Sequence, residues 1–149
     1  MSATSRLTVA VHALCWLELA RREGRDTLTS AEVADSLASH PVLVRRILAP
    51  LRDRGLLEVV GRGPGAGWRL VRAASSVTLA DVAAALGEGG AFALHAHEPK
   101  QTCPVGFGIR PVLAEVYAEA EAAARDSLAR RTVADVLDTT LVAHPLPSA

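Results

Sequence analysis

The sequence is short of several things, and each shortage excludes something. It has two cysteines, Cys15 and Cys103, in 149 residues. That is too few for a disulfide framework, and a free pair is usual in a reducing compartment. Its 16 Lys+Arg are balanced by 16 Asp+Glu, which taken alone argues against a nucleic-acid partner. No run approaches the ~20 consecutive apolar residues of a membrane span, and the opening MSATSR lacks the cleavage pattern of a signal peptide. A cytoplasmic protein without membrane contact is expected. The spacings of catalysis are also missing: there is no HExxH, no nucleophile set beside a base and its orienting group, and no pair of carboxylates suited to a pocket. An enzyme is not expected.

What is present is organised by one stretch, Thr29 to Val71. Half of all residues are apolar, so most of the chain can bury a core. The balanced charge is also split. Up to Arg72 there are eleven arginines and seven carboxylates; from Ala73 onward there are five basic and nine acidic residues. Phosphate attraction reaches about 8 Å at physiological salt, so the local patch decides binding rather than the sum.

The pattern predicts a first helix from about Ser5 to Glu23, apolar around most of its girth, with Leu7, Val11 and Leu14 among the apolar positions. Such a helix needs cover on more than one side, and a partner chain is the expected second cover. Thr29-Ser-Ala-Glu32 has the form of a capping box opening a short Ala-rich helix. After a break at Ala38 to His40, Pro41 suits the first position of a second helix running to about Arg54. Its inward face is Val44, Ile47, Leu48 and Leu51; opposite lie His40, Arg45, Arg46 and Arg52. Pro50 interrupts it, and an interior proline costs ~3 kcal/mol, so a bend or a division into two segments is expected there.

Leu56 to Val60 reads as a strand, and Trp68 to Val71 as its return. Between them, GRGPGAG has neither a strand-loop-helix context nor a GK[ST] ending, so it is a hairpin tip rather than a phosphate loop. Arg62 projects from it in the position of a minor-groove probe, and Trp68 is expected as a core aromatic beneath it. Thr78 to Asp81 caps a further short helix. A loop of about twenty residues follows, longer than compact domains usually tolerate without a purpose. Pro111 then suits the start of the longest helix, to about Arg131, on which Val112, Val116 and Ala120 recur at helical spacing. A short capped helix over Thr132 to Leu141 and a frayed tail end the chain.

The fold class is mostly α with a small β-hairpin. A winged helix-turn-helix domain spans 1–86, a sensor-type loop 87–108, and a dimerisation helix and tail 109–149. Double-stranded DNA is the expected partner, with a winged-helix protein-interaction module as the alternative.

The segments TSAEVADSLASHPVLVRRILAPLRDRGLLE, RGPGAGWRL and VTLADV together resemble the Rrf2 (Rrf-two) family of winged-helix transcription regulators, that of IscR, NsrR and CymR. The likeness runs from HALCWLELA in the first helix to the long late helix. It implies a homodimer built on those two helices, with Leu7, Val11, Leu14, Val112, Val116 and Ala120 at the dimer contact, and repression at a pseudo-palindromic operator. It places Thr29, Ser30, His40, Pro41, Val42, Arg45 and Arg46 around the major groove, and Arg62 with Gly65 at the minor groove.

Many members of the family hold an iron-sulfur cluster on three cysteines in the loop before the long helix. This loop offers only Cys103, within HEPKQTCPVGFG, so the sequence resembles the branch without a cluster, and no cofactor is expected. His12, with Cys103, is the remaining candidate for an unusual ligand set; the other reading is a packed or hydrogen-bonded helix residue. Cys103 is either a thiol made reactive by the nearby helix terminus, answering to an oxidant or small molecule, or an inert loop cysteine. Cys15 is read as a core or interface residue.

Overall fold

The computed structural model describes residues 3–87 and 90–147. Helix α1 (Ala3–Arg22) lays Ala10, Ala13, Leu14, Leu17 and Ala20 into the core. Leu14 has no exposed surface. It belongs to its own chain's core and has nothing to offer a partner, which removes it from the expected dimer contact. Leu7 and Val11 are half-buried against the same core.

The broad apolar girth of α1 does meet a second cover, and that cover is in part the chain's own last helix, α6 (Val133–Ala143). The Cys15 thiol donates to the Val133 carbonyl at 3.7 Å, and Arg22 pairs with Asp138 at 2.5 Å. Glu18, 3% exposed, accepts from Arg21 and Arg22 at 2.8 Å each. The Arg21 hydrogen bond, with help from Arg22, holds its carboxyl below the ordinary value.

The helix-turn-helix consists of α2 (Ser30–Ser36) and α3 (Pro41–Asp53). Thr29 closes the expected capping box with Glu32. The turn between them carries Ala38 at φ 46°, a left-handed conformation unusual for a residue with a side chain. Helix α3 is continuous through Pro50. Only the last turn lies beyond Pro50, and the buried side chains of Ile47, Leu48 and Leu51 anchor the helix on both sides of it.

The expected hairpin is a three-stranded antiparallel sheet of order β1-β3-β2, from β1 (Leu28–Thr29), β2 (Leu57–Val60) and β3 (Gly67–Leu70). Two residues of β1 are too few to leave an alternation in the sequence. At Gly67 a Cβ would stand 2.5 Å from the Thr27 side chain, so glycine is what lets the segment before β1 close on β3.

Helix α4 (Leu79–Leu86) opens on a capping box between Thr78 and Asp81. The long helix α5 spans Pro104–Ala129. It starts at Pro104 rather than Pro111, so the loop ends at Cys103 and Pro111 lies inside the helix. Both prolines suit a first turn, and Gly106 and Gly108 made the intervening segment look like loop. Gly106 sits where its Cβ would come within 2.4 Å of the Lys100 carbonyl, letting the loop fold back over the first turn. Phe92 stacks on Tyr117 with centroids 5.1 Å apart, fastening the loop to α5.

The boundary expected at residue 109 also moves. Helix α6 buries Val133, Ala134 and Leu137 and returns to the first domain. There Val133 N–H donates to Val77 O and Leu79 N–H to Arg131 O, both at 2.9 Å. Residues 133–143 are therefore part of the winged-helix core rather than a tail.

Candidate nucleic-acid interface

The N-terminus of α3 is held open by His40, whose Nδ1 accepts the Val42 amide at 3.2 Å. Pro41 takes the first helical position, and Val42 next to it is 57% exposed, an apolar side chain of the kind that meets a thymine methyl. On the following turn Arg45 and Arg46 are both exposed.

Between α3 and the wing lies a cleft of about 590 Å³, whose lining includes His40, Pro41, Arg45, Arg52, Gly63 and Pro64. A second cleft of about 370 Å³ lies on the opposite flank of α3, lined by Arg6, Leu43, Arg46 and Ile47. The wing tip is a 3-10 turn, Gly63–Gly65, with exposed Arg62 before it in extended conformation. Gly61 and Gly63 have φ of 86° and 71°, which fixes the tip's shape. Gly65 has neither a positive φ nor a near neighbour; its small size is of use only to a surface approaching from outside.

Two residues expected at the major groove are spent inside the protein. Ser30 is buried, and its hydroxyl accepts the Trp68 indole N–H at 2.9 Å, tying α2 to the wing. Thr29 uses its hydroxyl twice, accepting the Glu32 amide at 3.2 Å and donating to the Glu32 carboxylate at 2.9 Å. Trp68 is a core aromatic, 5% exposed, as expected.

Ion pairing sorts the arginines of the basic half. Arg21, Arg22, Arg25, Arg52, Arg69 and Arg72 each meet a carboxylate. Among the described residues Arg45, Arg46 and Arg62 meet none, nor do Arg6 and Arg54. Of these five arginines from the basic half, Arg45 and Arg46 lie on α3, Arg54 at its C-terminal end, Arg6 on its flank and Arg62 on the wing. Sequence gave no sign of Arg6, which lies far upstream on another helix.

The candidate sensor residues are separated by environment. Burial pushes the Cys15 thiol up to about 11. Cys103 is exposed at the N-terminal end of α5. Its thiol closes no capping hydrogen bond of standard geometry, yet the amides of Gly106 and Val105 bias it toward thiolate and lower its pKa. His12 is hydrogen-bonded to Ser36 Oγ at 2.9 Å, joining α1 to α2. Among the described residues no three His, Cys, Asp or Glu side chains come together as a metal site.

Comparison with known proteins places this geometry. The Rrf2 family profile, described as an iron-dependent transcriptional regulator, matches residues 3–139. The chain is 32% identical over 136 residues to YwnA of Bacillus subtilis (strain 168), provisionally named an HTH-type transcriptional regulator, covering 90% of this chain and 96% of YwnA. It is 32% identical over 88 residues to the HTH-type transcriptional regulator IscR of Cereibacter sphaeroides, covering 59% of this chain and 56% of that one. The fold superimposes on the solved T. potens IscR with a TM-score of 0.70 at 18% identity, covering 99% and 94% of the two chains. These relatives are transcription regulators, not enzymes.

Proposed function

Because the chain belongs to the Rrf2 family of transcriptional regulators, we propose that it binds double-stranded DNA as a homodimer and represses transcription from a pseudo-palindromic operator. Helix α3 enters the major groove and the wing reaches the adjacent minor groove. The half-sites stand about one helical turn, ~34 Å, apart. The observation that carries this reading is the pairing pattern: Arg45, Arg46 and Arg62, on α3 and the wing, have no carboxylate partner among the described residues. His40, Pro41, Val42 and Arg45 meet the base edges, Arg46 lies at the groove's flank, and Arg62 with Gly65 meets the minor groove. Thr29 and Ser30 act from behind, by holding α2 and the wing in place.

The dimer is built on α5, which buries no residue in its own chain. Val112 and Val116 are 62% and 53% exposed, and Ala120 continues their line. Small residues there let a second α5 approach closely.

The family description names iron, and the donor set here does not fit a three-cysteine cluster: the whole sequence has two cysteines, one of them half-buried on α1. We assign to Cys103 the response to an oxidant or small molecule; its exposure at the N-terminal end of α5 supports that reading. Mobility shift of genomic fragments at two salt concentrations tests the reading. Binding that weakens with salt and falls in Arg62→Ala supports it; a folded protein that shifts no fragment at low salt contradicts it.

A further inference from the structure

Arg45 and Arg46 are adjacent in sequence but line opposite clefts, Arg45 facing the wing and Arg46 sharing the other with Arg6. Adjacent residues on an α-helix are about 100° apart, at 3.6 residues per turn, and here that angle divides the two arginines between the two flanks of α3. The Arg6 cleft is built from parts distant in the chain: the first turns of α1 supply Arg6, and α3 supplies Leu43, Arg46 and Ile47. No carboxylate among the described residues pairs with either guanidinium. Two like charges sharing one cleft with apolar side chains repel each other unless an anion lies between them.

We propose that Arg6 and Arg46 form a phosphate clamp, which grips the DNA strand on the side of α3 away from the wing. The inference rests on the DNA-binding reading above and adds a contact from outside the helix-turn-helix. A B-DNA major groove is about 12 Å wide, and a helix with its side chains is about 10–12 Å across. A helix seated in the groove therefore has a sugar-phosphate backbone along each flank. The wing crosses one backbone on its way to the minor groove, with Arg45 on that side of α3 reaching the base edges; Arg46 and Arg6 meet the other backbone. Helix α1 thus sets how deeply and at what angle α3 enters, and Arg46 positions the protein rather than reading bases.

The test is the salt dependence of binding by the full chain to a fragment selected from genomic DNA, for wild type and for Arg6→Ala, Arg46→Ala and Arg62→Ala. Each lost phosphate contact lowers the slope of log K against log salt by about 0.9 on B-DNA. Arg6→Ala and Arg46→Ala are expected to lower the slope by about that amount each, and to weaken matched and mismatched fragments equally. Circular dichroism and thermal melting check that each variant is folded; Arg6→Lys, keeping the charge, should recover most of the slope. An unchanged slope in folded Arg6→Ala, with reduced affinity in Arg62→Ala, overturns the clamp and leaves the DNA reading standing. Wild-type protein with no salt-dependent binding overturns both.

Discussion

The Ser30 hydroxyl accepts the Trp68 indole N–H at 2.9 Å inside the protein, and this bond joins the first helix of the helix-turn-helix to the third strand of the wing. The helix-turn-helix and the wing are thereby held at one spacing, across the cleft that Arg45 lines. In the proposed complex a rigid spacing matters, because the major-groove and minor-groove contacts would be made together.

Removing the acceptor should leave the indole N–H buried and unpaired. Ser30→Ala is expected to lower stability by about 1–3 kcal/mol, the usual cost of an orphaned buried donor. Denaturant unfolding reads the loss. The salt slope of DNA binding should not change, since Ser30 touches no phosphate in this account; a reduced slope at unchanged stability would return Ser30 to the DNA surface.

Glu18 links stability to acidity. Its carboxyl is held below the ordinary value, first by the hydrogen bond from Arg21 and then by Arg22. A depressed carboxylate contributes stability that is present above its unfolded value, ordinarily about 4.3, and is lost as pH falls through its lower folded value. Wild-type protein should therefore lose stability on acidification from about pH 5. Glu18→Gln should be less stable at neutral pH and show a shallower acid dependence. Parallel pH profiles for the two proteins would remove Glu18 from this role.

Helix α5 can be tested without touching the core, because none of its residues is buried in the chain. Val116→Glu should yield monomers in sedimentation experiments while the circular dichroism spectrum is retained. DNA affinity should fall with it, since two linked half-site contacts become one. A Val116→Glu protein that remains dimeric would place the interface elsewhere.

The cysteines should differ in reactivity. Cys103, exposed and with its pKa lowered by the Gly106 and Val105 amides, should alkylate in native protein and keep reacting at lower pH than an ordinary thiol. Cys15, pushed up to about 11 by burial, should react only after unfolding. If Cys103 receives the signal, oxidant should change DNA affinity in wild type and not in Cys103→Ser. Equal responses of the two proteins would refute that role.

Much of the fold was legible in the sequence because its signals are local. The capping boxes at Thr29, Thr78 and Thr132, the proline opening α3 and the glycine-rich wing each lie within a few residues of the structure they specify. The misreadings came from signals that are not local or not unique. Pro104 and Pro111 both suit a helix start by local signals, and the helix begins at the first of them, where the loop folds back so that Gly106 lies against the Lys100 carbonyl. The return of α6 to α1 depends on contacts between the two ends of the chain, through Cys15 with Val133 and Arg22 with Asp138. Within the site, periodicity identified the arginine face of α3, but it could not reveal that Ser30 turns inward to Trp68 or that Arg6 lies beside Arg46.

The most direct test of the central claim is the affinity of the wild-type protein, and of Arg45→Ala and Arg62→Ala, for a fragment selected from genomic DNA at low salt. Each substitution removes a charge that no carboxylate cancels among the described residues. The expected loss is about 1–3 kcal/mol apiece, or roughly five- to 150-fold in affinity, with the fold intact. Folded variants that bind as tightly as wild type would contradict the assignment of α3 and the wing as the DNA-binding surface.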